Sequence, residues 1–562
     1  MSAVNPITLE VIRNALVAYA DEMATVLRKT AYNMMIYEVQ DYCVGLVDVN
    51  GGIIAQNSGG LPIFLADLGV AVKDGVDRYG LDGLDPGDVL ITNHPYVCGQ
   101  HLNNVVIYTP FFLDGELVAL PAVRAHWIDI GGSRIGFGSV ETTEIFQEGL
   151  QMRSLKLYKA GVEQEGIFQI LRDNIRFPES SFGDLRAQIA ACKLGERRLA
   201  ELFGRYGKET VQKAIEIIWD QSEELCRKEV ELIPDGVYEA ESFLDNDGVE
   251  TEKRVPIRVR VVVQGSNFTI DYTEISDQVR GPINSGLSGG MAAARVAFKC
   301  VTSAKLPVNE GCFRPLRVIL PEGKLVNARP PAALGQWSIP LPTVIDTILK
   351  ALAPAIPHKI PAAHKGDMGG YAFHGIDPRN GRRYVCLNIF GGGWGGRPFE
   401  DGESGSVSVC QGDVKNIPVE MQELYYPLFI EKFSLREDSG GPGKFRGGMG
   451  VEMVVRTLGE AKVNINTERT LCPPWGILGG LPGSVNGALI QRAGNAEPER
   501  VYKITNCPLA PGDQVTFETA GGGGYGPPRE RSSEKLRQDL ERGYVSPEAA
   551  RRDYGFEVEG KG

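Results

Sequence analysis

The spacing of hydrophobic positions along the chain alternates between helical and strand patterns. Near the N-terminus, apolar residues recur every three or four positions through Ile12, Leu16 and Ala20, directly after the Asn5-Pro6 pair. Asparagine is a favoured N-cap and proline a favoured first helical residue, so this pattern predicts an amphipathic opening helix. The segment YCVGLVDVNGGIIAQ that follows holds two apolar runs joined at residues 50–52, which is typical of a β-hairpin.

Helical and strand-like segments continue to alternate over the rest of the chain. Helical spacing recurs over 65–79, 181–232 (broken near 204–207), 290–303 and 342–353, and a β-hairpin is predicted over 257–273. We therefore predict five regions: an N-terminal α+β domain that holds the metal-site candidates (1–175), a helical segment (176–235), an α+β middle domain (236–384), a glycine-rich β-dominated domain (385–527) and a C-terminal helical tail (528–562).

Glycine is unusually frequent, at 69 of 562 residues, and it clusters as in GGGWGG at 391–396 and GGGG at 521–524. Such clusters supply tight turns and close approaches between backbones. Together with the element pattern they predict a multidomain α+β fold with mixed and antiparallel sheets, helices, and a glycine-rich β region in the C-terminal half.

Charge and composition exclude several classes of protein. The chain has 59 Lys and Arg against 71 Asp and Glu, a formal net charge of −12, whereas nucleic-acid-binding proteins normally carry a basic excess. Its ten cysteines form no CxxC pair, which suits a reducing compartment. An apolar run of about 18 residues, as a membrane span requires, is missing from the sequence. We therefore expect a soluble, cytoplasmic protein that binds neither nucleic acid nor membrane.

Half of the six histidines fall within one short stretch, at positions 94, 101 and 126. Imidazole is a common ligand of zinc, manganese and iron. Cys98 and Asp129 lie in the same stretch, and Asp41 precedes the strand-like segment CVGLVDV. Spacing leaves three interpretations open: a site of aspartate and histidines, a zinc site of Cys98 with His101 and His126, or histidines on the surface or hydrogen-bonded in the core.

Other motifs match known signatures without the structural context that those signatures need. GLSGG at 286–290 fits GxSxG, but no strand runs directly into it, so we expect Ser288 to lie in a structural turn, with an anion-binding helix N-terminus as the alternative and a nucleophile as the least favoured. GGGWGG and GGGGYG contain GxGxxG but open no βαβ unit. A GxxxxGK[ST] motif does not occur, so any ATP is not bound by a P-loop of this chain.

Several longer segments carry a family resemblance when they are taken together. They include, in order, ITLEVIRNAL, NHPYVCGQHLNN, RAHWIDIGG, EIFQEGLQM, PEGKLVNARPPAA, LREDSGGPGKFRGGMG and PGDQVTFETAGGGGYGPP. In this order, from about Pro6 to Gly555, the chain resembles the hydantoinase B/5-oxoprolinase family, which also includes the large subunits of acetone and acetophenone carboxylases. The resemblance is specific for the family but not for one activity within it.

The resemblance implies a metal-containing catalytic subunit of an ATP-dependent cyclic-amide hydrolase, which opens a hydantoin, oxoproline or lactam ring. It implies a separate hydantoinase A-type subunit, which binds ATP and Mg and phosphorylates the substrate carbonyl oxygen, so we expect a hetero-oligomer. The implied ligands of one divalent ion, zinc or manganese, are Asp41, His101 and His126. His94 and Cys98 are then not ligands.

Three acidic residues that follow these histidines are candidates for proton transfer. Asp129 is a candidate base or hydrogen-bond partner of a ligand, with a turn-capping role as the alternative. Glu144 and Glu148 are candidate acids or bases.

The chain also departs from the pattern of hydantoinase-type members, which have NDPY, THLPD and HHADIGG where it has NHPY, QHLNN and HWIDIGG. His94, Asn104 and Trp127 thus replace two acids and a second histidine, and the surroundings of the site become less negative. We expect Trp127 in the core, with stacking on a planar substrate as the alternative. The alternative functions are a subunit of an ATP-dependent ketone carboxylase and a structural partner without an active site.

Overall fold

A computed structural model of the chain describes residues 4–64, 67–136, 139–495 and 497–557. Its α-helices are α1 (Pro6–Thr30), α2 (Met34–Tyr37), α3 (Asp67–Tyr79), α4 (Pro95–Cys98), α5 (Glu165–Asn174), α6 (Pro178–Tyr206), α7 (Lys208–Glu231), α8 (Leu287–Thr302), α9 (Pro340–Leu352), α10 (Val419–Tyr425), α11 (Ser533–Glu541) and α12 (Pro547–Ala549). Its strands are β1 (Tyr42–Asp48), β2 (Ile53–Gln56), β3 (Val89–Thr92), β4 (Asn104–Tyr108), β5 (Phe111–Leu113), β6 (Glu116–His126), β7 (Leu155–Lys159), β8 (Val162–Glu163), β9 (Gly236–Leu244), β10 (Val255–Gln264), β11 (Asn267–Asp271), β12 (Leu316–Ile319), β13 (Gly370–Ile376), β14 (Arg383–Ile389), β15 (Leu428–Leu435), β16 (Val451–Thr457), β17 (Ala461–Asn466), β18 (Gly487–Gln491), β19 (Glu499–Val501), β20 (Lys503–Leu509) and β21 (Gln514–Glu518).

The N-terminal part of the chain forms an antiparallel sheet with the strand order β2-β1-β6-β4-β3-β7-β8, and β5 pairs with β6. The opening helix α1 begins as predicted, because the Asn5 side chain accepts a hydrogen bond from the Ile7 N–H and Pro6 takes the first position. The predicted hairpin is formed by β1 and β2. Of the helix predicted over 65–79, residues 67–79 form α3, and residues 65 and 66 lie outside the described residues.

The predicted helical segment consists of two long helices, α6 and α7, which meet at Gly207. This glycine has a φ of 79°, a conformation that L-residues with a side chain rarely adopt. The break near residues 204–207 is therefore confirmed. In the middle of the chain, β10 and β11 form the predicted hairpin within a sheet of order β12-β11-β10-β9, and α8 and α9 correspond to the predicted helices.

The C-terminal half contains two further sheets, of order β14-β13-β17-β20 and β15-β16-β21-β18-β19. Between these strands, glycine-rich segments pack backbone against backbone. The Gly522 N–H donates to the Gly448 carbonyl at 3.0 Å, and the Gly448 N–H donates to the Trp394 carbonyl at 2.8 Å. A Cβ atom on Gly522 would lie 1.9 Å from the Trp394 carbonyl oxygen, so this position admits only glycine. The glycine motifs are thus structural rather than nucleotide-binding.

Buried hydrophobic residues form one large cluster that runs from Leu9 to Ile417 in sequence. A second cluster, between Tyr371 and Phe517, lies within the C-terminal sheets, and a small third one joins the last helices. The predicted boundaries at 175/176 and 235/236 fall inside the first cluster, because α6 packs on β6 and α7 packs on α8. The division into five regions stays a prediction, whereas the predicted multidomain α+β class with antiparallel and mixed sheets is confirmed.

The described helices differ from membrane-spanning segments. None of them combines the length and the apolar character that a span requires.

Candidate functional site

Asp41, His101 and His126 meet at one edge of the N-terminal sheet. Asp41 directly precedes β1, His126 ends β6, and His101 lies three residues before β4. Because β1, β6 and β4 are adjacent and antiparallel, the start of β1, the end of β6 and the start of β4 fall at the same edge. The His126 N–H donates to the Asp41 carbonyl at 3.3 Å, and the Asn104 N–H donates to the His101 carbonyl at 3.2 Å.

The three side chains line a single cavity between this edge and the C-terminal half of the chain. Its apolar walls are formed by Met35, Phe64, Trp337, Ile339, Met368, Tyr371, Leu387 and Ile389. Its polar lining consists of Asn104, Gln336, Ser338, Asn464 and Asn466. The cavity is therefore built from segments that are more than 300 positions apart in the chain.

Burial sets the charge of these groups. It raises the pKa of Asp41 to about 7, against the opposing effect of the Arg124 guanidinium. Burial lowers the pKa of His126 to about 4. The pKa of His101 lies well below its ordinary value, first because of burial and then because His126 is close. At neutral pH both imidazoles are therefore uncharged, which is the form that binds metals.

The chemistry of these residues fits a divalent cation. Oδ1 of Asp41 is buried and has no hydrogen-bond partner among the described residues, and a cation would offset the cost of such an oxygen. The His101 and His126 ring centroids lie 5.0 Å apart, close enough for one ion at about 2.1 Å from a nitrogen of each ring. As the side chains stand, however, the described residues contain no group of three or more His, Cys, Asp or Glu arranged to hold an ion. Binding would therefore require at least one side chain to shift.

Asp129 does not line this cavity. Its Oδ1 accepts from the Arg176 guanidinium at 2.7 Å, and its Oδ2 accepts from the backbone N–H groups of Arg176 at 2.8 Å and Gly131 at 3.1 Å. These contacts join the loop after β6 to the segment before α6, and they correspond to the turn-capping alternative. A role for Asp129 in proton transfer stays a prediction.

Glu148 lies in a smaller polar pocket that shares His101 with the main cavity. Its carboxylate accepts from the Thr142 hydroxyl at 2.7 Å and from the backbone N–H groups of Leu334 at 2.9 Å and Gly335 at 2.8 Å. Burial nevertheless raises its pKa to about 7, so both protonation states are populated near neutral pH. Glu144 is exposed and caps the short 3₁₀ helix Ile145–Gln147, outside both pockets.

The other residues that the sequence suggested for a functional role lie outside the cavity. The Ser288 hydroxyl is buried at the start of α8 and donates to the Cys98 carbonyl, as a residue in a structural turn would. His94 precedes α4, and neither it nor Cys98 lines the cavity. Trp127 lies in the core, where its Nε1 donates to Gln188 at 2.9 Å. It is Trp337 that contributes an indole to the cavity, with its ring centroid 6.0 Å from that of His101.

The polar side chains on the far wall of the cavity were missed in the sequence. Asn464 and Asn466 occupy alternate positions of β17, VNIN, where both are buried. Two buried amides on the same face of a strand were the available signal, since strand side chains alternate between faces. The sequence around Gln336 contains no pattern that would have indicated its place in the cavity.

Comparisons with known proteins agree on the family to which the chain is similar. A family model described as hydantoinase B/oxoprolinase matches residues 5–528. The B component of a candidate D-/L-hydantoinase from Pseudomonas sp. strain NS671 is 32% identical, over 99% of this chain and 96% of that protein. The beta component of the caprolactamase of Pseudomonas jessenii is also 32% identical, over 100% of this chain and 98% of that protein.

Two solved structures share the fold. The crystal structure of the ATP-dependent caprolactamase from Pseudomonas jessenii has a TM-score of 0.93 at 30% sequence identity and covers 100% of this chain and 98% of that chain. A nucleotide-free structure of acetone carboxylase has a TM-score of 0.91 at 17% identity, over 99% of this chain and 80% of that chain, a likeness that shows the fold alone. With the matched region spanning nearly the whole sequence, the chain belongs to the hydantoinase B/oxoprolinase family.

Proposed function

We propose that this chain is the metal-containing catalytic subunit of an ATP-dependent cyclic-amide hydrolase, which opens a hydantoin, oxoproline-like or lactam ring. The observation that carries the proposal is the shared cavity of Asp41, His101 and His126, in a chain whose relatives include components of a candidate hydantoinase and of a caprolactamase. A resonance-stabilised amide resists attack by water, so the reaction needs activation of both the substrate and the water.

Asp41, His101 and His126 would hold the divalent ion, zinc or manganese. When bound, such an ion supplies Lewis acidity to an oxygen of the substrate and lowers the pKa of water toward neutrality. The protein contributes one carboxylate and two neutral imidazoles, a donor set that leaves the net charge of the site positive. The apolar side chains of Phe64 and Trp337 limit the access of bulk water to the cavity.

Proton transfer is assigned to Glu148 in this proposal. Its pKa of about 7 matches the requirement for a group that both accepts and gives up a proton near neutral pH. It lies in the pocket on the other side of His101, so a proton would reach it along this pocket rather than through the apolar walls.

We assign the binding of ATP to a partner subunit. The sequence lacks a P-loop motif, and two relatives are named as the B and beta components of their enzymes. We infer a hetero-oligomer with a hydantoinase A-type subunit. That partner would bind ATP and Mg and phosphorylate the carbonyl oxygen of the ring, which converts the oxygen into a leaving group. A cytoplasmic location of this assembly stays a prediction.

An ATP-dependent ketone carboxylase is the second candidate, because acetone carboxylase shares the fold. In that case the same cavity would bind a phosphoenol or enolate while CO2 adds to carbon. A structural subunit without its own active site is the third.

The experiment is an assay of the complex, co-expressed with its partner subunit, against a panel of cyclic amides and ketones with and without bicarbonate. Ring opening coupled to ATP turnover, without a need for bicarbonate, supports the hydrolase. Bicarbonate-dependent ATP turnover with a ketone contradicts it and supports the carboxylase. Full activity of a metal-free native complex would favour the structural subunit.

A further inference from the structure

We propose that Asn466 recognises the ring N–H of a neutral cyclic amide, and that Gln336 and the Ser139 carbonyl fix the orientation in which it does so. This inference rests on the proposed function, since it names the substrate class of the same cavity. It would make Asn466 a specificity-determining residue and Gln336 a positioning residue.

Asn466 offers an unused acceptor to the cavity. It ends β17, lines the cavity and is only 6% exposed. Its Nδ2 donates to Oε1 of Gln336, whereas its Oδ1 is buried without a hydrogen-bond partner among the described residues. A buried carbonyl oxygen without a donor is unfavourable, because it has given up its hydrogen bond to water. A ligand that supplies an N–H at this position would therefore donate a hydrogen bond to an oxygen that the folded protein leaves unpaired.

The orientation of the Asn466 amide follows from its neighbours. Nε2 of Gln336 donates to the backbone carbonyl of Ser139 at 3.3 Å. A backbone carbonyl only accepts hydrogen bonds, so Gln336 must present its NH2 group to Ser139 and its oxygen to Asn466. Asn466 must then present its own NH2 group to Gln336, which leaves its oxygen as the unpaired acceptor of a residue that lines the cavity. The chain of amides thus excludes the flipped orientation, in which Asn466 would present a donor.

The charge of the cavity indicates a neutral ligand. The described residues that line the cavity include no Lys or Arg, and among them Asp41 carries the carboxyl group. A substrate carboxylate, as an oxoproline carries, would find no cationic side chain among these residues, whereas the apolar walls suit the methylene groups of a ring. The apolar walls therefore suit the uncharged ring of a lactam or hydantoin, and the proposed metal ion would be the cation available to a substrate carboxylate.

The same acceptor suits the activated substrate. When the carbonyl oxygen takes the phosphoryl group of ATP and ADP leaves, the C=O π electrons move to that oxygen and the nitrogen lone pair forms a C=N bond. The product keeps its N–H as a cationic imidate as long as the nitrogen is not deprotonated. A carbonyl oxygen opposite the nitrogen stabilises this protonated form, which is more electrophilic at carbon than the neutral imidate.

Equilibrium binding to the purified complex tests the inference. The probes are an unsubstituted lactam, its N-methyl derivative and the cyclic ketone of equal ring size, measured by ligand-observed NMR. We expect the wild-type protein to bind the lactam at least about tenfold more tightly than the ketone or the N-methyl derivative. A wild-type protein without this preference overturns the proposal, and this comparison does not depend on the folding of any variant.

Two variants separate recognition from structure. Asn466→Leu should remove the preference for the lactam over the ketone, and Gln336→Leu should reduce it, because the Asn466 amide is then free to flip. Lys462→Ala is the matched control on the same strand: its side chain is exposed and lies outside the cavity, so the preference should stay. An Asn466→Leu variant that loses affinity for lactam and ketone equally would show a merely structural role and overturn the proposal.

Turnover separates this inference from the proposed function. A complex that prefers the lactam in binding but opens no ring with ATP supports the recognition of the N–H and contradicts the hydrolase. A complex that opens lactams while Asn466→Leu keeps the full binding preference supports the hydrolase and overturns the role of Asn466.

Discussion

Individual side chains in the cavity owe their chemical properties to burial. Asp41 combines a pKa of about 7 with a buried oxygen that lacks a hydrogen-bond partner among the described residues, and the imidazoles of His101 and His126 stay neutral under the same influence. A carboxylate in such surroundings is unfavourable unless a cation compensates it. The burial of these residues is thus a cost to stability that the proposed cation would offset.

His101→Ala and His126→Ala should each lose the bound metal while the protein stays folded. Each removes one nitrogen donor at a site where the sheet edge is already held by backbone hydrogen bonds. Elemental analysis of the purified complex measures the ion, and circular dichroism checks the fold. His94→Ala, outside the cavity, is the matched control and should keep its metal. Stoichiometric metal in either cavity variant would contradict the ligand assignment.

Asp184 is a second buried acid, and it does not line the cavity. Its Oδ1 accepts from the backbone N–H groups of Tyr32 at 2.7 Å and Asn33 at 3.1 Å, and burial raises its pKa from 3.8 to about 7. Because the folded state holds this proton more tightly than the unfolded state, the free energy of unfolding should fall as the pH rises from about 4 to 7. Above that range the ionised carboxylate is a fixed cost to the folded state.

Asp184→Asn should therefore raise the melting temperature at pH 8 and flatten its dependence on pH between about 4 and 7, since an amide oxygen accepts the same two N–H groups without a charge. Thermal unfolding monitored across this pH range measures the effect. An unchanged pH profile would show that Asp184 ionises in the folded protein as it does in the unfolded chain.

The secondary-structure elements fix the positions of the candidate metal ligands. The edge of the N-terminal sheet brings Asp41, His101 and His126 together through strand pairing alone, and β17 with the segment before α9 supplies the opposite wall through Asn466 and Gln336. The glycine-rich segments of the C-terminal half pack their backbones too closely for any side chain.

Gly522→Ala should destabilise the protein by about 1–3 kcal/mol or more, since its Cβ would lie 1.9 Å from the Trp394 carbonyl oxygen. Gly204→Ala is the matched control: it lies near the end of α6 with nothing within 4 Å of the added atom, and should stabilise the helix by up to about 1 kcal/mol. Chemical denaturation of the two variants measures both effects. Equal stabilities would contradict the close backbone packing.

The whole molecule combines one large and two smaller hydrophobic clusters with a formal net charge of −12. The purified chain alone should show no ATP turnover, because its sequence has no P-loop motif, and addition of the partner subunit with a cyclic amide should start ATP turnover. Release of inorganic phosphate measures ATP turnover by the chain alone and by the chain with its partner. ATP turnover by the isolated chain would contradict the two-subunit proposal.

Short-range features were accessible from the sequence. The Asn5 cap of α1, the break at Gly207 and the β10–β11 hairpin all depend on residues within a few positions of one another. Asp41, His101 and His126 could be named before the fold was known only through a family resemblance, since spacing left other ligand sets open. Their grouping in one cavity needed the strand order β1-β6-β4.

Local composition thus decided which elements form, because capping, helical periodicity and turn chemistry act between near neighbours. Tertiary packing decided what those elements build together. Asn466 and Gln336 are 130 positions apart, and only the approach of β17 to the segment before α9 turns two ordinary amides into an oriented acceptor. Burial, which raises the pKa values of Asp41 and Glu148, likewise arises only when distant segments exclude water from the cavity and from the pocket beside it.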